Sequence, residues 1–531
     1  MMCRLRLEKY IRSTLHDKPQ GFTGDAMKAF SSTMKITAAG VVLMVTVFVV
    51  CSKKERQSDI LATVGDRVIT TDEFIRRAEY TIRPPYCRQN TQIDKTIILN
   101  SLIAEKLIAF EADEDNPLAR SPSFRAFIRG REEQMMRQIF FAQTVRKKIK
   151  PDTSELNIRY WLAGREYRVA FCSIGPETAR FAEEQKIGSS SNDLFDTVYR
   201  HTGGLGPPAE RTVSWKSQEI QTVHRALFTE PLVKDQVVGP IRVNDDQFLM
   251  LKVLGWTDRP AVTDSEVQQR KSEVYDDWER EKAEAIWDAY IIGLMKNKRL
   301  DFKREPFEKM VTLFQPLYIR SDPKTMPFMN GNQAEEAPLA VVDSVGIELK
   351  KQGFEDQPFF TFDGKTWTVA DFMTIYASHP LVFRKSKFSN SEFPEQFKFA
   401  IADLMRDQIV NQAAYDQGID QTRSVQANTA MWQDALIAKY QLSVYLKTKT
   451  ADPLSASNFD RMLSDYLNPH SDSLFSKYGK SIRINIPVFE GIKLTRIDMV
   501  ALNQNVPYLE AVPPFPILTN KSRLNYGTRL E

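Results

Sequence analysis

Val64–Phe74 reads VGDRVITTDEF, and this stretch decides how the chain is organised. From Ile60 onward, apolar and polar residues alternate around a Gly65-Asp66 turn, which predicts a short hairpin. Thr70, followed three residues later by Glu73, forms a capping box, so a helix begins there. The same device returns in Phe362–Phe372, FDGKTWTVADF, with a turn glycine, the capping pair Thr368 and Asp371, and a closing phenylalanine. Behind it, DLMRDQIVNQAA from Asp403 tracks SLIAEKLIAFEA from Ser101, matching Leu404 with Leu102, Met405 with Ile103, Ile409 with Leu107 and Ala414 with Ala112. Matched elements in the same order predict an internal duplication: a helical module over 58–150 and a second over 355–450.

Between the two, the pattern changes. Leu99, Leu102, Ile103, Leu107 and Phe110 recur at helical spacing, as do Met135, Ile139 and Ala142. After Pro151, Asp152 and Glu155 open a further helix, YRVAFCSI (Tyr167–Ile174) reads as a buried strand. A glycine-rich loop, HTGGLGPP from His201, precedes VVGPIRVNDDQFLMLKVL, a hairpin closing on Asn244, Asp245 and Asp246. These features predict a mixed α and β domain over 151–258. Thr263 and Glu266 then start a long charged helix through Trp278, Trp287 and Tyr290 to about Met295, its charges read as a solvated face, within a connector over 259–320. Residues 321–354 read as a linker, and 451–531 give no clear fold. Within that last segment YGKSIRINIPVFEGIKL could supply strands, whereas VPYLEAVPPFPILT looks extended along another surface, its prolines and aromatics serving packing. The expected class is α+β with several domains.

Composition narrows the function. At 531 residues the chain exceeds one ordinary core, and 42% hydrophobic with 26% charged residues describes a protein folded mostly in water. A net charge of +4, with the two signs interspersed, argues against nucleic acid as a partner. No glycine-rich phosphate loop is present, so no nucleotide is expected, nor any other cofactor. The five histidines, His16, His201, His224, His379 and His470, lack metal-ligand spacing with each other or with the cysteines, so no metal site is expected. Cys87 and Cys172 are expected to be separate buried thiols.

Residues 1–51 read as an address. ITAAGVVLMVTVFVV (Ile36–Val50) is uncharged and has the length of a signal-peptide core more than that of a bilayer span. Met34 and Lys35 stand just before it, so translation is expected to start at Met34 instead of Met1. Cys51 follows directly and resembles the lipidated cysteine of a bacterial lipoprotein signal, with Val50 where such signals place a small residue. An uncleaved signal anchor is the alternative. Either form expects the body outside the cytoplasm, periplasmic or cell-surface, tethered to a membrane.

Taken together, VGDRVITTDEF, the helix around LNSLIAEKLIAFEA, the strand RVAFCSI and the closing VVGPIRVNDDQFLMLKVL resemble the SurA and PrsA foldases of bacterial envelopes, over roughly residues 58 to 300. Those combine a helical chaperone module with a parvulin-like peptidyl-prolyl isomerase domain having a small antiparallel sheet. The resemblance implies an ATP-independent chaperone for unfolded exported polypeptides. It places the two family histidines on Phe171 and Leu249, so the domain looks like a degenerate parvulin. Proline-pocket positions fall on Ile220, Val223 and Phe228, with Phe248 beside the second histidine position; His201 and His224 fall elsewhere and are read as solvent-facing. Two other readings stay open. One is an active isomerase using Cys172, Ser173 or His201 as stand-ins. The other is a non-catalytic assembly lipoprotein with one dedicated partner. A solute-binding protein is disfavoured by too few βαβ patterns.

Overall fold

The computed structural model describes residues 60–112, 116–186, 193–217, 219–244, 246–319, 345–346, 348–379, 381–385, 388–450, 458–495, 508 and 510–530. Residues 1–51, with Cys51, and most of the expected linker lie outside the described residues. The chain is α+β.

The first series begins with the hairpin β1 (Ile60–Val64) and β2 (Arg67–Thr70), followed by helices α1 (Thr71–Glu79), α2 (Gln92–Glu111) and α3 (Pro122–Arg146). Each start is fixed locally. The Thr70 hydroxyl accepts from the Glu73 N–H at 3.0 Å, Thr91 and Asp94 form a reciprocal capping box, and Ser121 caps α3 ahead of Pro122. On α2 every residue from Asp94 to Ala109 is buried, so this helix has no solvent face and must be surrounded by other elements.

A mixed segment follows: α4 (Thr153–Leu162), β3 (Arg165–Ile174), α5 (Pro176–Lys186), α6 (Leu194–His201), β4 (Ala209–Ser214), α7 (Gln221–Phe228), β5 (Val237–Arg242) and β6 (Phe248–Asp258). Its four strands form one sheet in the order β4-β3-β6-β5, every neighbouring pair antiparallel. Alternation along β3 sends Tyr167 and Val169 to a face covered by α7, and Ala170, Cys172 and Ile174 to a face covered by α5 and α6. The long α8 (Asp264–Met295) leaves the domain, opened by the Thr263–Glu266 capping box.

The second series starts with β7 (Leu300–Phe302) and α9 (Arg304–Tyr318), then the hairpin β8 (Pro358–Phe362) and β9 (Lys365–Thr368), then α10 (Val369–Ser378), α11 (Phe393–Asp416) and α12 (Arg423–Lys449). Asp363 and Gly364 both take positive φ, as a tight two-residue hairpin turn requires. The hairpin strands are 5 and 4 residues long in both series, and the three helices that follow run 9, 20 and 25 residues in the first and 10, 24 and 27 in the second.

The third helix of each series packs on the other series. α3 lies against α10 and α11, and α12 lies against α2 and α3. Both crossings are polar and buried. At one, Lys106 of α2 reaches Asp434 of α12 and Glu73 of α1, each at 3.0 Å. At the other, Arg137 of α3 donates to Asn411 of α11 at 2.8 Å, and Asn411 donates to Glu133 of α3 at 2.9 Å. Nearby, the Asp407 carboxylate lies 3.0 Å from His379 Nε2 and 2.8 Å from Arg406, with Arg137 at 3.9 Å.

The rest of the chain closes the first core: α13 (Asn468–Tyr478), β10 (Ile482–Ile484), α14 (Ile486–Gly491) and β11 (Thr528–Arg529). β10 pairs antiparallel with β1 and parallel with β11, extending the first hairpin to the order β11-β10-β1-β2. Met431, Trp432, Leu474, Phe475, Ile482 and Phe515 share one core with Leu61, Phe74, Leu102 and Leu107. Of the proline-rich stretch read as extended, residues 508 and 510–519 are described; they form neither helix nor strand, and carbonyls among them accept from Arg76 and Arg77 of α1 and Ser101 of α2. Cys87 and Cys172 are both buried and unbonded.

Asp407 gives a pH prediction. Burial by itself pushes its carboxyl up, but the hydrogen bond from His379 and the Arg137 and Arg406 charges outweigh burial and hold it at about 2, below the ordinary 3.8. A depressed carboxylate stabilises the fold above its ordinary pKa and loses that contribution as pH falls through the folded value. Wild type and Asp407→Asn should therefore differ by about 2 kcal/mol near neutrality. The difference should shrink as pH drops from about 4 towards 2, read from urea midpoints across pH; a constant difference would refute it.

Candidate functional site

Phe171 and Leu249, the positions assigned to the family histidines, lie on the α7 side of the β4-β3-β6-β5 sheet. β3 and β6 are its central strands, and their register sets Phe171 opposite Leu251 and Ser173 opposite Leu249. Directly opposed residues share a face, so Phe171 and Leu249 are diagonal neighbours on one surface. Along β3 this surface goes from buried Tyr167 and Val169 through half-buried Phe171 to exposed Ser173, so it opens at the Ile174 end.

Around that opening stand polar groups with no local sequence signal. Arg211 of β4 faces Val169 in register, and its guanidinium lies 5.1 Å from the Phe171 ring centroid. Glu219 holds it at 2.6 Å. Gln247 donates to the Ser173 hydroxyl at 2.9 Å. The rim therefore offers a paired guanidinium, a carboxylate, an amide and a hydroxyl around an apolar floor. Arg211 and Glu219 escaped the sequence reading because only the β3/β4 register brings them to Phe171.

The four pocket residues are not brought together as a crevice. Ile220 caps α7 at the surface, 41% exposed, whereas Val223 and Phe228 are each 1% exposed and packed into the floor. Phe228 meets Tyr167 and Trp215, each with ring centroids 5.5 Å apart. Phe248 pairs with Ile174 and packs on the opposite face with α5 and α6. Apolar residues at helical spacing read the same whether they line a pocket or fill a core, which is why the sequence did not separate them.

Two expectations are corrected. His224 is not solvent-facing. With Gln221 and Arg225 it forms the face of α7 turned to α8, where its Nε2 lies 3.2 Å from the Trp215 carbonyl and its Nδ1 4.0 Å from Asp277. Burial holds its pKa below the usual value against the pull of Asp277. Nor are the α8 charges only a solvated face: Glu284 takes Arg225 at 2.5 Å and Gln221 at 3.2 Å, and Glu281 takes Arg159 of α4 at 2.7 Å. These groups hold the α/β domain to the long helix. His201, by contrast, is exposed and stacks on Phe181 with centroids 4.4 Å apart.

A cavity of about 360 Å³ lies at the other end of the sheet, lined by Arg165, Trp215, Lys216, Arg259, Arg270 and Glu273 among others. Its charges engage their neighbours, with Lys216 at 3.2 Å from Glu273 and Arg270 donating to the Arg259 carbonyl at 3.0 Å, so it is no apolar proline pocket. Among the described residues, no His, Cys, Asp or Glu cluster could hold a metal ion.

No protein-family model, curated protein or solved structure matches this chain.

Proposed function

We propose that the chain is an ATP-independent chaperone of the bacterial envelope, of the SurA/PrsA foldase class, binding unfolded exported polypeptides through a decayed peptidyl-prolyl isomerase domain and a duplicated helical module. One observation carries the reading. Phe171 and Leu249, the positions to which the resemblance assigns histidines, sit side by side on one face of the central strands. As diagonal neighbours on one surface with apolar side chains, the two positions support a binding surface that lacks the polar apparatus of the family.

Catalysis of an X-Pro rotation, with a barrier of about 18–20 kcal/mol, requires contacts stronger in the twisted state than in the ground state. Phenylalanine and leucine grip both states alike. Binding needs less: an apolar floor, a polar rim and a second contact surface on the same body, so that weak sites add through effective concentration. The matching element lengths of the two series support the duplication, and each series would supply one such surface. The tether is assigned to residues 1–51, with Cys51 as the lipidated residue; among the described residues no helix is long and apolar enough to cross a membrane.

The test is isomerisation of a proline-containing tetrapeptide by the purified protein, run beside suppression of aggregation of an unfolded protein. The expected result is suppression with isomerisation at the uncatalysed rate. Robust isomerisation would overturn the assignment of Phe171 and Leu249 and restore an enzyme. Absence of both activities would favour a lipoprotein with one dedicated assembly partner.

A further inference from the structure

Residues 510–526, which form neither helix nor strand, cross the first series as a strap held in the manner of a bound peptide. Val512, Phe515 and Leu518 point down into the core, 3%, 6% and 4% exposed. A spacing of three is the repeat of a polyproline II chain, and Pro513, Pro514 and Pro516 between these anchors preset that conformation. The main chain is gripped separately. Arg77 of α1 donates to the Pro514 carbonyl at 2.8 Å, Ser471 of α13 to Leu518 at 3.0 Å, and Ser101 and Asn100 of α2 to Thr519 at 3.4 Å and Lys521 at 2.7 Å. Side chains that bind carbonyls read an extended backbone without demanding particular residues. One donor is held apart from the strap: Arg77 is clamped by Glu105 of α2 at 2.8 and 2.9 Å, so little of its order is lost when a chain arrives.

We infer that this groove is a peptide-binding site for extended, proline-containing polypeptide with apolar side chains at every third position, and that residues 510–526 are its resident ligand in cis. Occupation in cis makes the site self-competing. A segment offered in trans binds with its affinity reduced by the fraction of molecules in which the strap is released. The inference deepens the chaperone reading and rests on it for the client's identity, but the groove stands on its own contacts.

The test is fluorescence anisotropy of a labelled peptide with the sequence of residues 511–526, AVPPFPILTNKSRLNY, titrated with the full chain. Phe515→Ala removes a strap anchor. Pro514→Gly keeps every anchor and carbonyl and loosens only the preset conformation, so it serves if the first variant disturbs the fold. The peptide should bind at least about tenfold tighter to Phe515→Ala and about threefold tighter to Pro514→Gly than to wild type. Adding Asn100→Ala and Ser101→Ala should abolish both gains. No gain in Pro514→Gly, or a gain that survives loss of the α2 donors, overturns the inference. Aggregation suppression in the same samples separates the two readings: suppression without any gain in peptide binding sinks the groove and spares the chaperone, while the gain without suppression upholds the groove and sinks the chaperone.

Discussion

Replacing Lys106 by methionine should lower the unfolding free energy by about 3–5 kcal/mol, although the substitution is close to isosteric and lies far from the candidate site. The Lys106 ammonium is 1% exposed and sits 3.0 Å from both Glu73 and Asp434. Asp434 would keep Arg67 at 3.0 Å, but Glu73 would lose its direct ion-pair partner inside the core. An uncompensated buried charge costs more than the intact pair contributes, because the desolvation cost remains when the partner has gone. Glu73→Gln combined with Lys106→Met removes that charge, leaves Asp434 paired with Arg67, and should recover most of the loss. Guanidinium unfolding of the single and double variants is the measurement; a single variant within about 1 kcal/mol of wild type would show that the pair is not coupled to the fold. Burial alone would lower the Lys106 pKa, but Glu73 and Asp434 together raise it above its ordinary 10.5. Its contribution is therefore complete below that value and is lost only as pH rises through the higher folded value.

Gly130→Val should destabilise by about 1–3 kcal/mol and loosen the second series. Gly130 is buried where α3 crosses the end of α10, and a Cβ there would lie 2.8 Å from the Ser378 carbonyl carbon and closer still to its oxygen. The obstacle is backbone, so no rotamer change relieves it. Gly130→Ala separates this from helix propensity, because alanine should favour an isolated helix by about 1 kcal/mol. A net loss of stability in Gly130→Ala, with increased binding of a hydrophobic dye, is the expected outcome. A variant more stable than wild type would mean that the crossing tolerates separation.

What the sequence made legible was settled within a few residues. Thr70 with Glu73, Thr368 with Asp371 and Thr263 with Glu266 mark helix starts because a cap bonds only three positions away, and all three caps form. β3 and the β5/β6 hairpin were readable from period and turn residues. The remainder depends on pairing across the chain. Lys106 and Asp434 meet from 328 positions apart, and neither segment carries a local mark of the other. The same holds for Arg211 beside Phe171, for His224 facing Asp277, and for the strap on α1 and α2. At the candidate site, the positions of Phe171 and Leu249 on one face follow from strand alternation and register, but Val223 and Phe228 belong to the packed floor.

The pairing of β1 with β10, and of β10 with β11, also constrains the order in which the molecule can form. A chain made from its N-terminus produces β1 and α2 first, yet their core is completed by residues up to Tyr526 and the sheet by Thr528–Arg529. The α/β domain carries its own clusters within 162–256 and can form as soon as those residues are made. The earliest segment is thus among the last to be buried, and contacts of such sequence separation slow folding. Until the C-terminal residues arrive, Leu99, Leu102, Leu107 and the other apolar residues of α2 lack part of the core that buries them, which makes the half-made molecule a client for the kind of help it is proposed to give.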